Sequence, residues 1–475
     1  MPQKPWRQLA FVLGEAALSL LSGGVLFIII SRASGPELLG AYALSIAWLM
    51  LFQGVSSFGI PEFIMRETGA HGRDAAGQVV HAMLLGLGTG LTAICVMLVL
   101  VRTLGYPADL VKAISIASLA LIPAFLNTAC RGVFMAQRQM HVPFMAALVE
   151  NAIMMSASLY LLLSGHAAVS LMIALVGSKA ASASIATALT FRRVFPALPP
   201  LDLRVLMETA QAVFGFGMGD LFGMLSRRIN TIMVSLWVSI EAVGHFAAAT
   251  KVMEFCLIAP DLFSQLLLTR IAHSFVARGN RDPNRFGAWF EVLFALVAPA
   301  CVGVWVFAGP ILETLFGKPF GDALWILRIL MIYVLTETAD VVMSVILKAA
   351  HRQRQDAFCV ASNLVTNLVL NLALLPVLGA IGTAIGRVGG GFASATPRHF
   401  LIALELTRMD WARFAWKPAL TSVAAGSVCY VLLGGVRPAW VLLFYSGLIL
   451  VSLRLFSNFS LSVIKDVMSS PPGSD

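Results

Sequence analysis

A chain of 475 residues that is 59% hydrophobic and only 12% charged, with a mean hydropathy of +0.86, has too few polar groups to cover a soluble globule. Its net charge of +9 is scattered through short breaks between apolar runs, a distribution that fits membrane orientation and argues against a nucleic-acid partner. The composition therefore points to an all-α polytopic membrane protein, because apolar runs of this length without strict alternation cross lipid as helices.

About fourteen spans follow one another, each near the length a bilayer needs. They cover residues 9–31, 38–62, 78–102, 113–136, 143–164, 167–190, 211–238, 243–268, 287–309, 322–348, 357–376, 379–402, 416–434 and 438–456. The first is longer than the apolar core of a signal peptide and lacks a convincing small-residue cleavage site, so it reads as retained. Between the first two spans, Gly35-Pro36 marks a tight polar turn. Cys95, Cys130, Cys256, Cys301, Cys359 and Cys429 all sit inside apolar runs, as small buried residues and not as disulfides or metal ligands.

With the N-terminus in the cytoplasm, Lys4, Arg7, Arg66, Arg73, Arg138, Arg192, Arg193 and Arg204 fall on the inner side, and most later basic residues join them. That bias puts both termini inside. The breaks at 192–208 and 273–285 are cytoplasmic linkers, and no loop is long enough for a soluble domain.

The chain repeats itself faintly. Leu39-Gly40-Ala41-Tyr42-Ala43 aligns with Val243-Gly244-His245-Phe246-Ala247, and Gln137-Arg138-Gln139 with His351-Arg352-Gln353. The expected organisation is an N-terminal six-helix half (1–192), a cytoplasmic linker (193–208), a second six-helix half (209–404), and two extra helices with a cytoplasmic tail (405–475). Parallel halves of this kind bind substrate at a central cavity between them.

Charges inside spans cost from about 2.5 kcal/mol upward and tend to face an interior. Lys179, Arg227, Arg228, Lys251 and Arg387 are such charges, and a cation cluster at one depth suits an anionic head group; Lys179 and Arg387 fall at corresponding places in the two halves. Asp220 and Glu254 are candidates for ion coupling, although Lys251 and Glu254, three apart, can also pair on one helix face. Asp340 and Asp261 lie near predicted inner helix ends, where solvation accounts for them. Asn363, Asn367 and Asn371 recur every four residues as one stripe, for helix packing or for sugar contact. Neither a GxxxxGK[ST] phosphate loop nor an HExxH or paired CxxC zinc motif occurs. Nothing in the sequence calls for a catalytic residue, a metal or a cofactor.

Gly35-Pro36-Glu37 with Leu39-Gly40-Ala41-Tyr42-Ala43 and Gly59-Ile60-Pro61, followed later by Arg228-Ile229-Asn230, Val243-Gly244-His245-Phe246-Ala247 and Lys251, resembles polysaccharide-biosynthesis flippases. These belong to the multidrug, oligosaccharidyl-lipid and polysaccharide exporter superfamily. The likeness departs at Asn230, where many relatives carry aspartate, and at Phe246, where tyrosine is usual.

The resemblance implies a bacterial inner-membrane flippase, not an enzyme, that moves an undecaprenyl-pyrophosphate-linked oligosaccharide to the outer leaflet for surface polysaccharide assembly. It implies alternating access by a monomeric unit in contact with membrane lipids, a polysaccharide polymerase and glycosyltransferases. The cations above would hold the pyrophosphate. Alternatives are a multidrug antiporter of the same superfamily, a membrane polymerase or glycosyltransferase acting on the same lipid, and a non-transporting scaffold.

Overall fold

The computed structural model describes residues 5–165, 168–195, 202–278, 283–405 and 411–433. Among the described residues there are fifteen α-helices, short 3-10 and π turns, and no strand. Nine helical segments among them are long and apolar enough to cross a bilayer, so the protein is a multi-pass membrane protein.

The expected spans do not map one to one onto these helices. The first two are joined in α1 (Pro5–Ser57), whose 53 residues would run to about 80 Å if straight, more than twice the hydrocarbon thickness. Gly35, at φ 75° and ψ −167°, breaks it. Only glycine adopts that backbone readily, and Pro36 then restarts the helix. The second span ends early, at Ser57, because Gly59 turns left-handed and starts α2 (Ile60–His71). The fourth span is divided into α4 (Ala108–Ser118) and α5 (Leu121–Ala136).

The remaining helices of the N-terminal region are α3 (Ala76–Thr103), α6 (His141–Leu163), α7 (Ala168–Leu189, ending in a π turn at Thr190–Val194) and α8 (Leu203–Trp237). There follow α9 (Ile240–Arg278), α10 (Pro283–Val306), α11 (Ala308–Phe316), α12 (Ala323–Ala349), α13 (Gln353–Leu378), α14 (Ala380–Glu405) and α15 (Trp411–Leu433). Of the two expected C-terminal helices, α15 is the first; the span 438–456 lies outside the described residues.

The chain divides into two units, Met1–Ala247 and Ala248–Asp475, with the boundary inside α9. In the first, α1 packs on α3, α4, α6 and α8, while α5 lies against α2 and α7. Phe63, Phe125, Phe134 and Phe195 fill its core. In the second, α14 packs along α13 and α12, and α10 along α12 and α15.

The α13–α14 seam is set by size. A Cβ on Gly386 would stand 2.6 Å from Asn371 Oδ1, and one on Gly390 would stand 2.9 Å from the Asn363 carbonyl oxygen. Asn367 and Asn371 are fully buried there, and Asn371 Nδ2 donates to Asn367 Oδ1 at 2.8 Å. Small residues let the backbones approach and the amides bond where lipid would offer no partner.

Both units contain the same turn. After α5, the Arg138 amide donates to Met135 O (3.1 Å) and the Gln139 amide to Phe134 O (2.9 Å); after α12, the His351 amide donates to Lys348 O (3.1 Å) and the Arg352 amide to Leu347 O (2.9 Å). Arg138 (φ 56°) and His351 (φ 60°) hold the left-handed position of this Schellman cap. Arg138 thus corresponds to His351, one residue away from the Arg352 that the sequence alignment matched to it.

Candidate functional site

In the first unit, Lys179 on α7 donates to Glu150 Oε1 on α6 at 2.8 Å, with both side chains about one-fifth to one-quarter exposed. Asn127 of α5 donates to Glu150 Oε2 at 3.4 Å and accepts from Ser182 Oγ at 3.3 Å. On the same side, Arg131 of α5 pairs with Glu15 of α1 at 3.3 Å. Glu15, Asn127, Arg131, Glu150 and Ser182 line a cavity of about 160 Å³. Two acids and two bases make this corner close to neutral, which lowers the cost of holding ions in a membrane-spanning bundle.

On α8, Arg227 is exposed with its guanidinium over Gly223, and Arg228 is half-buried. The two side chains leave the helix about 100° apart. Asp220 lies on α8, with its side chain outside the described residues.

In the second unit, Lys251 donates to Glu254 Oε2 at 2.7 Å along one face of α9. Arg387 of α14 is 7% exposed and stands over the Tyr333 ring of α12, 4.7 Å from its centre. A buried cation over an aromatic face gains about 2 kcal/mol or more when desolvated. Asn363 Nδ2 donates to Ser394 Oγ at 3.4 Å, and Ser394 Oγ donates to Asp340 Oδ2 at 3.0 Å.

Asp340 is not solvated, contrary to the sequence reading: it is 6% exposed and ion-paired with Arg398. Arg398 also reaches Asp356 Oδ1 at 2.9 Å, and Lys348 stands 3.5 Å from the other oxygen of Asp356. Sequence reasoning missed Arg398 and Arg131. Arg131 lies five residues inside the end of its predicted span, and that depth was the available signal.

The two units repeat this polar pattern. Asn127, Glu150 and Ser182 hold the places of Asp340, Asn363 and Ser394, on the register already given by the Arg138 and His351 turns and by the starts of α7 and α14. In each unit the serine hydroxyl donates to the residue on the earlier helix. This register puts Lys179 opposite Gly391 and Arg387 opposite Leu175, so the two cations stand one helical turn apart in the repeat. The sequence alignment had matched them directly.

Among the described residues, no three His, Cys, Asp or Glu side chains converge as a metal site.

These helices, kinks and repeated units define an all-helical, multi-pass membrane fold. The structure is similar to a lipid II flippase, MurJ, in an inward closed conformation, with a TM-score of 0.80 and 14% identity over 96% of this chain and 100% of that one. It is also similar to an inward-facing multidrug resistance MATE family transporter of the MOP superfamily, with a TM-score of 0.67 and 16% identity over 84% of this chain and 98% of the other. A MOP superfamily transporter from Pyrococcus furiosus, described by the reverse polarity of its binding pocket, matches with a TM-score of 0.57 and 16% identity over 84% of this chain and 96% of its own. Identities this low speak for the fold alone. Comparison with curated protein sequences gives no match. The sequence profile of the polysaccharide biosynthesis protein family matches residues 29–324, and the chain belongs to that family.

Proposed function

We propose that this protein is a flippase that carries a polyprenyl-pyrophosphate-linked oligosaccharide from the cytoplasmic to the outer leaflet of a bacterial inner membrane by alternating access. The observation that carries the reading is the joint one: a polysaccharide biosynthesis family sequence on a fold shared over 96% of the chain with a lipid II flippase. Both termini are taken as cytoplasmic, with 1–192 and 209–404 as the working halves.

In this reading Arg227, Arg228, Lys179, Lys251 and Arg387 draw in the pyrophosphate. Lys179 and Lys251 each already hold a carboxylate, Glu150 and Glu254, so the pyrophosphate must compete with that carboxylate for the ammonium. The exchange keeps each lysine paired throughout, which limits the cost of a bare charge in the bundle. Asp220 and Glu254 are the candidate groups for ion coupling, and Asn363 is the stripe residue nearest to sugar contact because Asn367 and Asn371 are fully buried. Lipids surround the protein, and the polymerase and glycosyltransferases of the same assembly are its proposed partners. The protein itself performs transport and no covalent chemistry.

The test is binding of a short-chain polyprenyl pyrophosphate to the purified protein, followed by native mass spectrometry. Binding that falls at least tenfold in Lys179→Gln and Arg387→Gln, with the fold retained, is the expected result. Equal binding in wild type and both variants would overturn the anion site. A second reading, an organic-cation antiporter, draws on Glu15 and Glu150 lining the 160 Å³ cavity; it predicts binding of a lipophilic cation there in preference to the pyrophosphate.

A further inference from the structure

Gly40 and Gly244 touch in a reciprocal way. Gly40 stands one turn after Pro36, in the part of α1 that follows the Gly35 break, and Gly244 stands one turn after Ile240, at the start of α9. A Cβ on Gly40 would land on the Ile240 carbonyl oxygen, and a Cβ on Gly244 would land on the Pro36 carbonyl oxygen. Pro36 and Ile240 are as far apart in sequence as Gly40 and Gly244, so one element of the repeat is used twice and packs on its own copy.

We propose that this glycine seam is the outer gate of the transport path, closed in this structure and parted when substrate leaves. The inference rests on the flippase reading, which puts both helix starts at the outer face. Four features fit a gate better than a permanent joint. First, the contact is backbone on backbone, of the Cα–H···O=C kind, and lacks interlocked side chains at the glycines, so individually weak contacts hold it there.

Second, the Gly35 break immediately before it supplies a hinge that a continuous helix lacks. Third, the residues flanking each glycine are buried and mostly apolar on both copies: Leu39, Tyr42 and Ala43 on one, Val243, Phe246 and Ala247 on the other. They form the seal around the seam. Fourth, neither glycine tolerates a Cβ without moving backbone, so any side chain at these positions shifts the equilibrium toward the parted state.

Two measurements test this in a background lacking the six native cysteines. A cysteine at Ala43, buried beneath the seam, is challenged with a membrane-impermeant maleimide from the outer side. Labelling is expected to be slow in the Gly40 and Gly244 protein and at least fivefold faster with Gly244→Ala. Equal labelling rates would overturn the gate, whatever the protein transports. Separately, Glu37→Cys and Glu241→Cys, each exposed and one residue after a contact point on its helix, are joined by a short cross-linker. Translocation of the polyprenyl pyrophosphate substrate should then fall at least tenfold and recover on cleavage of the linker. Undiminished translocation by the cross-linked protein would overturn the gate while leaving the flippase standing. If the uncross-linked protein does not translocate this lipid at all, the functional reading fails, and the labelling result alone decides the gate.

Discussion

Arg398 is ion-paired with Asp340 at a point where both side chains are more than nine-tenths buried, and its guanidinium also serves Asp356. One arginine thereby ties α14 to both α12 and α13. Removing one member of such a buried pair leaves an uncompensated charge, which costs about 3–5 kcal/mol. Arg398→Met should therefore lower the thermal unfolding temperature of the purified protein sharply. Adding Asp340→Asn and Asp356→Asn should restore much of the loss, because no bare carboxylate then remains.

The α13–α14 seam should be intolerant of bulk. Gly390→Leu forces a side chain into the Asn363 backbone and Asn367, and should abolish the folded protein in detergent. Gly23→Leu, at a position whose Cβ would meet nothing within 4 Å, is the control and should leave unfolding temperature unchanged.

Lys179 and Glu150 should separate stability from transport. Lys179→Gln leaves Glu150 without its ammonium partner, so both stability and translocation should drop; the double variant with Glu150→Gln should recover stability but not translocation. Recovery of both by the double variant would make the pair purely structural.

Arg387→Lys should retain part of the function that Arg387→Gln loses, since a lysine keeps the charge over Tyr333 but not the planar guanidinium stack. Steady-state translocation rates of the two variants, ranked against wild type, check this order.

Much of the helical outline was legible because lipid leaves a backbone few choices: long apolar runs must be helices, and Gly35-Pro36 announces the first break, whereas the apolar run 38–62 passes through Gly59 and hides the second. The spans 143–164 and 322–348, for example, correspond closely to α6 and α12. What the sequence hid was pairing across helices. Lys251 and Glu254 are neighbours on one helix and were readable as a pair, whereas Lys179 meets Glu150 from another helix and Arg398 meets Asp340 across 58 residues. Hydropathy ranks the cost of a buried charge without naming its partner, so Asp340 read as solvated. The repeat was visible near Gly40 and Gly244 but slipped by one residue at Arg138, because a left-handed cap position, normally glycine, carries arginine in one copy and histidine in the other.

The most direct measurement is translocation in proteoliposomes. Purified protein would be reconstituted with a fluorescent polyprenyl-pyrophosphate oligosaccharide, and a membrane-impermeant quencher would report which leaflet holds it. The account predicts protein-dependent movement that an imposed potential accelerates, since moving each negative charge outward across an inside-negative membrane gains about 2.3 kcal/mol per 100 mV. It also predicts that Arg387→Gln abolishes that movement in a folded protein. Leaflet exchange equal to that of protein-free vesicles would contradict it.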